Sequence, residues 1–501
     1  MTFSHSSRQQ KGWWRRDEDE SESETREERP RRFIPGVYAY QPLSHVSRRI
    51  HVLGTGSVGK LVAHCLRSIS NPPPVTLIFH RRGLIEAWRQ EDESIKITTD
   101  GITEAKMGYD IELSISPEIE HGRIVKANSF RPNCGEDATS EGEVSAETNT
   151  EQEKGNSGKG SGRSRPGYES DEPIHNLIVC VKTYQTVSSL LGLRHRLTVN
   201  STICFLQNGM GVMDEVNERV FPDETTRPAY MFGIVSHGVH VDPQFNFSAT
   251  HAGFGTIQLG IMPRYSIAEP SSNAPLPIDD NDDDYLSDSP SLDPLHSRPP
   301  QPSSSPLEKK EVIWSTTSRY TLRTLTRVPV LCAVGLSPHD LHVAQLEKLA
   351  VNSIINPLTA LLDGRNGVLL FNYALSRTMR LLLAETSLVL RSLPELQGMP
   401  NLRLKFGPDR LETLVVSAAN TTAENVSSML ADVRAGRQTE VEYINGYIVK
   451  RGEELGIRCA MNYLVMQMVR GKSNMTKREV ADEVPMVGSE EFETRKMMMK
   501  L

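Results

Sequence analysis

The chain has 501 residues, a formal net charge of −7 and 38% hydrophobic residues, which allows two or three domains but is less apolar than one packed globule of that length. The mild acidity, without a concentrated basic surface, argues against nucleic acid as a partner, and no run of 18 apolar residues provides a membrane-spanning helix. Six cysteines (Cys65, Cys134, Cys180, Cys204, Cys332, Cys459) lie far apart, with no CxxC or Cys/His cluster, so no metal site is expected and a reducing compartment suits the pattern.

Residues 1–47 are charged and poor in core formers, and are expected to be a disordered tail. Arg8, Lys11, Arg15 and Arg16 precede any acid, a presequence-like feature cut short by the acidic run from Asp17. The cytoplasm is the expected compartment, with a mitochondrion as the alternative. The first folded block, 48–263, holds the β-branched runs RIHVLG, PVTLIFH, HNLIVCVK and STICFLQ separated by helical stretches, the alternation of a parallel α/β sheet. The first run leads at once into Gly54-Thr55-Gly56-Ser57-Val58-Gly59 and then into a helical LVAHCL stretch. Strand, glycine loop and helix in that order form a dinucleotide-binding fingerprint, with the helix N-terminus facing the pyrophosphate.

The second strand ends in His80-Arg81-Arg82, where an NAD-binding chain usually offers Asp or Glu to the ribose. Arg81 or Arg82 can instead pair with a 2′-phosphate, so NADPH is the expected cofactor; the bland alternative is solvated surface. Residues 133–172, acidic and rich in Gly and Ser, read as a disordered insertion. Lys182 and Asn208 follow the third and fourth β-branched runs, where ligands of open α/β sheets collect. Taken alone, Lys182 is as readily surface, and Asn208-Gly209 a turn.

Residues 264–312, rich in Pro, Ser and Asp, read as a second disordered insertion, and 331–470 as a helical domain followed by a charged tail at 472–501. Thr421-x-x-Glu424 and Thr439-x-x-Glu442 have the form of capping boxes. Lys348, Asn352 and Asn356 stand at i, i+4 and i+8, one stripe of one helix. Outer faces favour Glu, Lys and Arg over Asn, which is a mediocre helix former, so the stripe points to a binding face. Asn425 and Ser428 share a face of a second helix, and Glu440 opens a third, where an acid ordinarily only stabilises the helix dipole.

The segments GTGSVG, VCVKTYQT, QNGMG, EKLAVNSIINPLTAL and TTAENVSSMLADVRAGRQTEVEYING, in this order, resemble the ketopantoate reductase (2-dehydropantoate 2-reductase) family over 48–263 and 331–470. The resemblance implies a Rossmann-like parallel-sheet domain carrying NADPH and an all-α C-terminal domain closing over a small 2-keto acid. It implies Lys348 as the general acid, and Glu440 as the residue that binds the distal hydroxyl or supports that lysine. Asn208, Asn352, Asn356, Asn425 and Ser428 would hold substrate. Gly54, Thr55, Gly56, Ser57, Val58, Gly59, Arg81, Arg82, Lys182 and Asn208 would hold or flank the cofactor. The expected reaction is reduction of 2-dehydropantoate to (R)-pantoate in pantothenate and coenzyme A biosynthesis. The alternatives are another branched 2-keto acid or a non-catalytic NADPH-binding regulator. The sequence is silent on assembly and leaves a homodimer open.

Overall fold

The computed structural model describes residues 47–114, 119–120, 123–124, 168–242, 244–265 and 312–481. In chain order β1 (Ile50–Leu53), α1 (Ser57–Arg67), β2 (Val75–Phe79), α2 (Gly83–Gln90), β3 (Ile95–Thr99), β4 (Ile102–Lys106) and β5 (Asp110–Leu113) come first. The two-residue ladder of β6 (Ile119–Glu120) and β7 (Arg123–Ile124) follows, then β8 (Asn176–Val179), α3 (Thr186–Leu193), β9 (Thr202–Phe205), α4 (Val212–Arg219) and β10 (Ala229–Val235). Next are β11 (Gly238–Val241), β12 (Ser248–Gly253), β13 (Ile257–Ile261), β14 (Arg264–Tyr265), β15 (Val312–Ile313), α5 (Thr316–Thr326) and β16 (Ala333–Gly335). The helical part comprises α6 (Pro338–Leu362), α7 (Tyr373–Ser392), α8 (Leu402–Lys405), α9 (Pro408–Thr421), α10 (Ser428–Arg434), α11 (Val441–Glu454) and α12 (Ala460–Ala481).

The main sheet has the order β16-β13-β10-β9-β8-β1-β2-β5 and is parallel except for the antiparallel pair β10–β13. Every residue of β1, β2, β8 and β9 is buried, as in a parallel sheet covered on both faces. Their continuous apolar runs follow from that burial. A second sheet, β11-β12-β3-β4, meets α1, where Lys60 Nζ donates to Ser248 O at 2.9 Å. The helical part has its own core around Leu346, Leu382, Leu411, Leu430 and Ile448.

α6 starts where the sequence caps it. Ser337 Oγ accepts from Asp340 N–H, and Pro338 takes the first helical position, where its missing N–H leaves nothing unpaired. Pro357 lies inside the same helix and leaves the carbonyl four residues back without its partner. Buried Asn445 supplies the replacement, donating Nδ2 to Ser353 O at 2.9 Å. That bond ties α6 to α11.

Several expectations change. Ser47 is already part of the fold, its carbonyl accepting from Asn176 Nδ2. The first insertion stops short of Glu172, because Tyr168 packs on the sheet core and Leu113 N–H donates to its carbonyl at 2.8 Å. Glu172 O accepts from Arg196 Nε at 2.7 Å. Residues at both ends of the second insertion are strand, with Arg264 opposite Ile313 and Tyr265 opposite Val312. The helical part begins at Pro338 rather than Leu331, since Ala333–Gly335 pairs in parallel with β13.

α12 runs on to Ala481, through residues read as tail. Its charged side chains are good helix formers, and Lys472 Nζ donates to Leu361 O at 3.0 Å. Neither proposed capping box caps a helix. Thr421 ends α9, the cap of α10 is Ser427, whose Oγ accepts from Leu430 N–H, and the α11 cap position is Glu440 without a side-chain cap bond. The remaining expectations of disorder, at 1–46, 133–167, 266–311 and 482–501, and of a presequence, lie outside the described residues.

Candidate active site

Three parallel neighbours, β9, β8 and β1, deliver Asn208, Lys182 and the glycine loop just past the same edge of the sheet. A Cβ on Gly59 would sit 1.9 Å from Gly54 O, so helix and loop close only without one, whereas a Cβ on Gly56 would meet nothing within 4 Å. The space beside Gly56 is therefore open. No side chain caps α1 and no acid stands in its first turn, which suits an anion at its N-terminus. Thr55 in the loop, and Ser57 and Val58 in the first turn of α1, are half-buried. Arg81 and Arg82 are exposed at the end of β2, and neither guanidinium has a hydrogen-bond or ion-pair partner among the described residues. The donor set fits a dinucleotide.

Asn208-Gly209 is more than a turn. Gly209 has φ +82°, and a Cβ there would lie 2.6 Å from Tyr443 O; Met210 N–H donates to the same carbonyl at 2.8 Å. This contact holds Asn208 against the helical part. Lys348 Nζ, from α6, donates to Asn208 Oδ1 and to Val235 O, each at 2.9 Å. Burial pulls the Lys348 ammonium down to about 8, against the upward pull of Glu440. Asn352 lines the same crevice as Asn208, Gly233, Gln345 and Lys348.

Glu440 is buried. Its Oε1 accepts from Thr183 N–H at 3.1 Å and Thr183 Oγ1 at 2.9 Å, and its Oε2 from Asn208 Nδ2 at 3.4 Å. Lys182 Nζ stands 2.6 Å from Asp432 Oδ2 and 3.9 Å from Glu440 Oε2. Burial lowers the Lys182 ammonium, but Glu440 and Asp432 together outweigh it and raise the group. Direct contacts thus link Lys348, Asn208, Glu440 and Lys182.

Asn356, Asn425 and Ser428 make no hydrogen bond to that network. Asn356 is buried further along α6, and Ser428 is exposed at the start of α10. Thr359 Oγ1 donates to Ser427 Oγ at 2.8 Å, which seats the start of α10 against α6. Asn425 lies in the loop between α9 and α10 and does not share a helix face with Ser428, because its backbone is fixed there, donating to Thr422 O and accepting from Asn366 N–H. Sequence reasoning missed Asp432, Arg437, Thr183 and the Val235 carbonyl. An isolated Asp in a short helix has no periodic signal, and a backbone acceptor has none at all. A roomier groove between α7 and α9, lined by Phe371, Arg380, Glu412 and Val416, contains none of the network residues.

The family model described as ketopantoate reductase PanE/ApbA matches residues 50–118 and 126–264, and the model of that family's C-terminal part matches 340–473. The chain belongs to the ketopantoate reductase family. As a family member it is a nicotinamide-dependent oxidoreductase. A probable 2-dehydropantoate 2-reductase of Schizosaccharomyces pombe is 23% identical over 437 residues, 86% of this chain and 98% of the relative. A ketoisovalerate reductase of Beauveria bassiana is 25% identical over 468 residues, 85% of this chain and 84% of the relative.

Among solved structures, a PanE/ApbA family ketopantoate reductase from Ralstonia eutropha JMP134 aligns with TM-score 0.53 and 16% identity over 86% of this chain and 99% of its own. D-mandelate dehydrogenase with NADH and anilino(oxo)acetate aligns with TM-score 0.54 and 14% identity, covering 85% and 99%. At these identities the structures speak for the fold alone. No described helix of this ketopantoate reductase family member is long and apolar enough to cross a membrane.

Proposed function

We propose that the chain reduces 2-dehydropantoate to (R)-pantoate with NADPH, and that Lys348 is the general acid. The observation that carries this reading is the hold on Lys348 Nζ. Two of its three protons go to Asn208 Oδ1 and Val235 O, which leaves the third for a substrate oxygen. With its pKa brought down to about 8, the group is still protonated at neutral pH and gives up its proton more readily than a free lysine. NADPH, held by its pyrophosphate at the α1 N-terminus, would supply the hydride that the carbonyl carbon needs. Lys348 delivers the proton to the carbonyl oxygen and meets the negative charge that develops there.

In this reading Asn352, Asn356, Asn425 and Ser428 hold the substrate carboxylate and hydroxyl, with Asn208 shared between substrate and cofactor. Glu440 binds the distal hydroxyl or supports Lys348, and Lys182 stands beside both ligands. The loop from Gly54 to Gly59 receives the pyrophosphate, and Arg81 or Arg82 the 2′-phosphate. We assign the reaction to the cytoplasm, with pantothenate and coenzyme A synthesis consuming the product. A second reading, reduction of 2-ketoisovalerate, draws on the Beauveria bassiana relative, whose match spans most of both chains.

The test is NADPH oxidation by the full chain with 2-dehydropantoate, 2-ketoisovalerate and other 2-keto acids side by side. The highest kcat/KM should belong to 2-dehydropantoate. A clear preference for 2-ketoisovalerate would transfer the assignment to the second reading, and no turnover of any keto acid would end both.

A further inference from the structure

Asp432 lies on α10 with its side chain 3% exposed, and each of its oxygens faces a different cation: Oδ2 meets Lys182 Nζ at 2.6 Å, and Oδ1 meets Arg437 Nε at 3.1 Å. Glu440, also buried, has no such clasp. Its bonds come from Thr183 and Asn208, and Lys182 stops 3.9 Å away. Lys348 in turn reaches the Glu440 carboxylate through Asn208, which accepts from Lys348 at Oδ1 and donates to Glu440 at Nδ2. The chain of contacts therefore runs Arg437, Asp432, Lys182, Glu440, Asn208, Lys348. Tyr184 also faces Asp432, Lys182 and Glu440, and burial followed by Asp432 raises its hydroxyl.

We infer that Asp432 is a positioning residue: with Arg437 it holds Lys182 off Glu440, so that Glu440 remains the counter-charge of Lys348. The inference rests on Lys348 being the acid. If Asp432 loses its charge, the nearest buried carboxylate for Lys182 is Glu440, and a shift of about 1 Å brings the pair to hydrogen-bond distance. Glu440 is then neutralised by Lys182. The protonated form of Lys348 loses the one carboxylate that favours it, and an ammonium deprived of such a partner releases its proton at lower pH.

The experiment measures kcat/KM for the keto acid against pH at saturating NADPH in the full chain. The unaltered chain should lose activity as pH rises through about 8, the value held by Lys348. In Asp432→Asn that basic limb should move about one pH unit toward acid, while Asp432→Glu, which keeps the charge, should leave it nearly in place. Adding Lys182→Met to Asp432→Asn should return the limb toward its original position. A folded Asp432→Asn chain with an unmoved limb, or a uniform loss at every pH, would reduce Asp432 to a structural role and overturn the inference. A shifted limb that Lys182→Met does not restore would overturn it as well.

Should Asp432→Asn alone not fold, the comparison becomes Lys182→Met against the Lys182→Met/Asp432→Asn double variant, which leaves no lysine there without its partner. Equal limbs support action through Lys182, and different limbs overturn it. Lys348→Ala separates the two levels. Normal turnover there removes the acid itself, whereas an inactive Lys348→Ala with an unmoved Asp432→Asn limb removes only the role of Asp432.

Discussion

Lys348 sits among neutral acceptors with one carboxylate at a remove, and its proton is held accordingly. Reduction should weaken as pH rises above about 8, because the deprotonated amine has nothing to give. Lys348→Ala should lower kcat by about 10²–10⁴, the range of a positioned acid, with NADPH affinity nearly unchanged. Lys348→Arg should restore little, since guanidinium does not release a proton at working pH. Steady-state kinetics beside a cofactor titration check all three. Removing Arg81 and Arg82 together should erase a preference for NADPH over NADH of more than about tenfold, read by binding of each cofactor. The stripe of Lys348, Asn352 and Asn356 was legible because asparagines on a helix are costly in the absence of a task. Asp432 was not legible, since its partner Lys182 lies 250 positions away.

Between β1 and α1 the glycines divide their labour. Gly59→Ala should fail to fold properly, its methyl colliding with Gly54 O, whereas Gly56→Ala has room and should keep the unfolding midpoint. Gly56→Ala should nevertheless bind NADPH more weakly, because the methyl occupies the side from which a pyrophosphate approaches. Thermal unfolding together with cofactor titration separates the two. Strand, loop and helix were readable here since apolar run, glycine spacing and amphipathic helix all agree. The caps of α10 and α11 misled because Thr-x-x-Glu is a local pattern, and local pattern does not reveal that Thr421 still belongs to α9. The tie between Pro357 and α11 was equally invisible. Asn445→Ala should strip Ser353 O and Asn462 Oδ1 of their donor and cost about 1–3 kcal/mol in chemical denaturation.

At the scale of the whole molecule, acid acts on the fold through a buried histidine. His51, buried in β1, is pushed down to about 3 by burial and by Arg196 and Arg49. Its folded value lies below its unfolded value, so the unfolded chain takes up the proton first. The stability tied to His51 is complete above pH 6.5 and drains away as pH falls toward 3, by about 1.4 kcal/mol per pH unit within that window. Denaturant midpoints between pH 7 and 5 should fall for the unaltered chain and fall less for His51→Gln. The order of a nucleotide-binding sheet followed by helices was plain from the alternation of strand and helix patterns. Its edges were not. Composition marked Tyr168–Glu172 as spacer, yet one aromatic ring and two carbonyls bind that segment to the sheet. A deletion that ends at residue 165 should therefore leave a higher melting temperature than one that ends at 170.

The short antiparallel pairing of β14 with β15 has a consequence for how this chain can change. Arg264 stands opposite Ile313 and Tyr265 opposite Val312, so two positions far apart in the sequence are held side by side. Whatever is strung between those two posts adds a closure cost that grows only with the logarithm of its length. The paired strands are thus a natural socket: a foreign peptide or a reporter domain put in place of 268–309 should leave the contact between Lys348 and Asn208 unchanged.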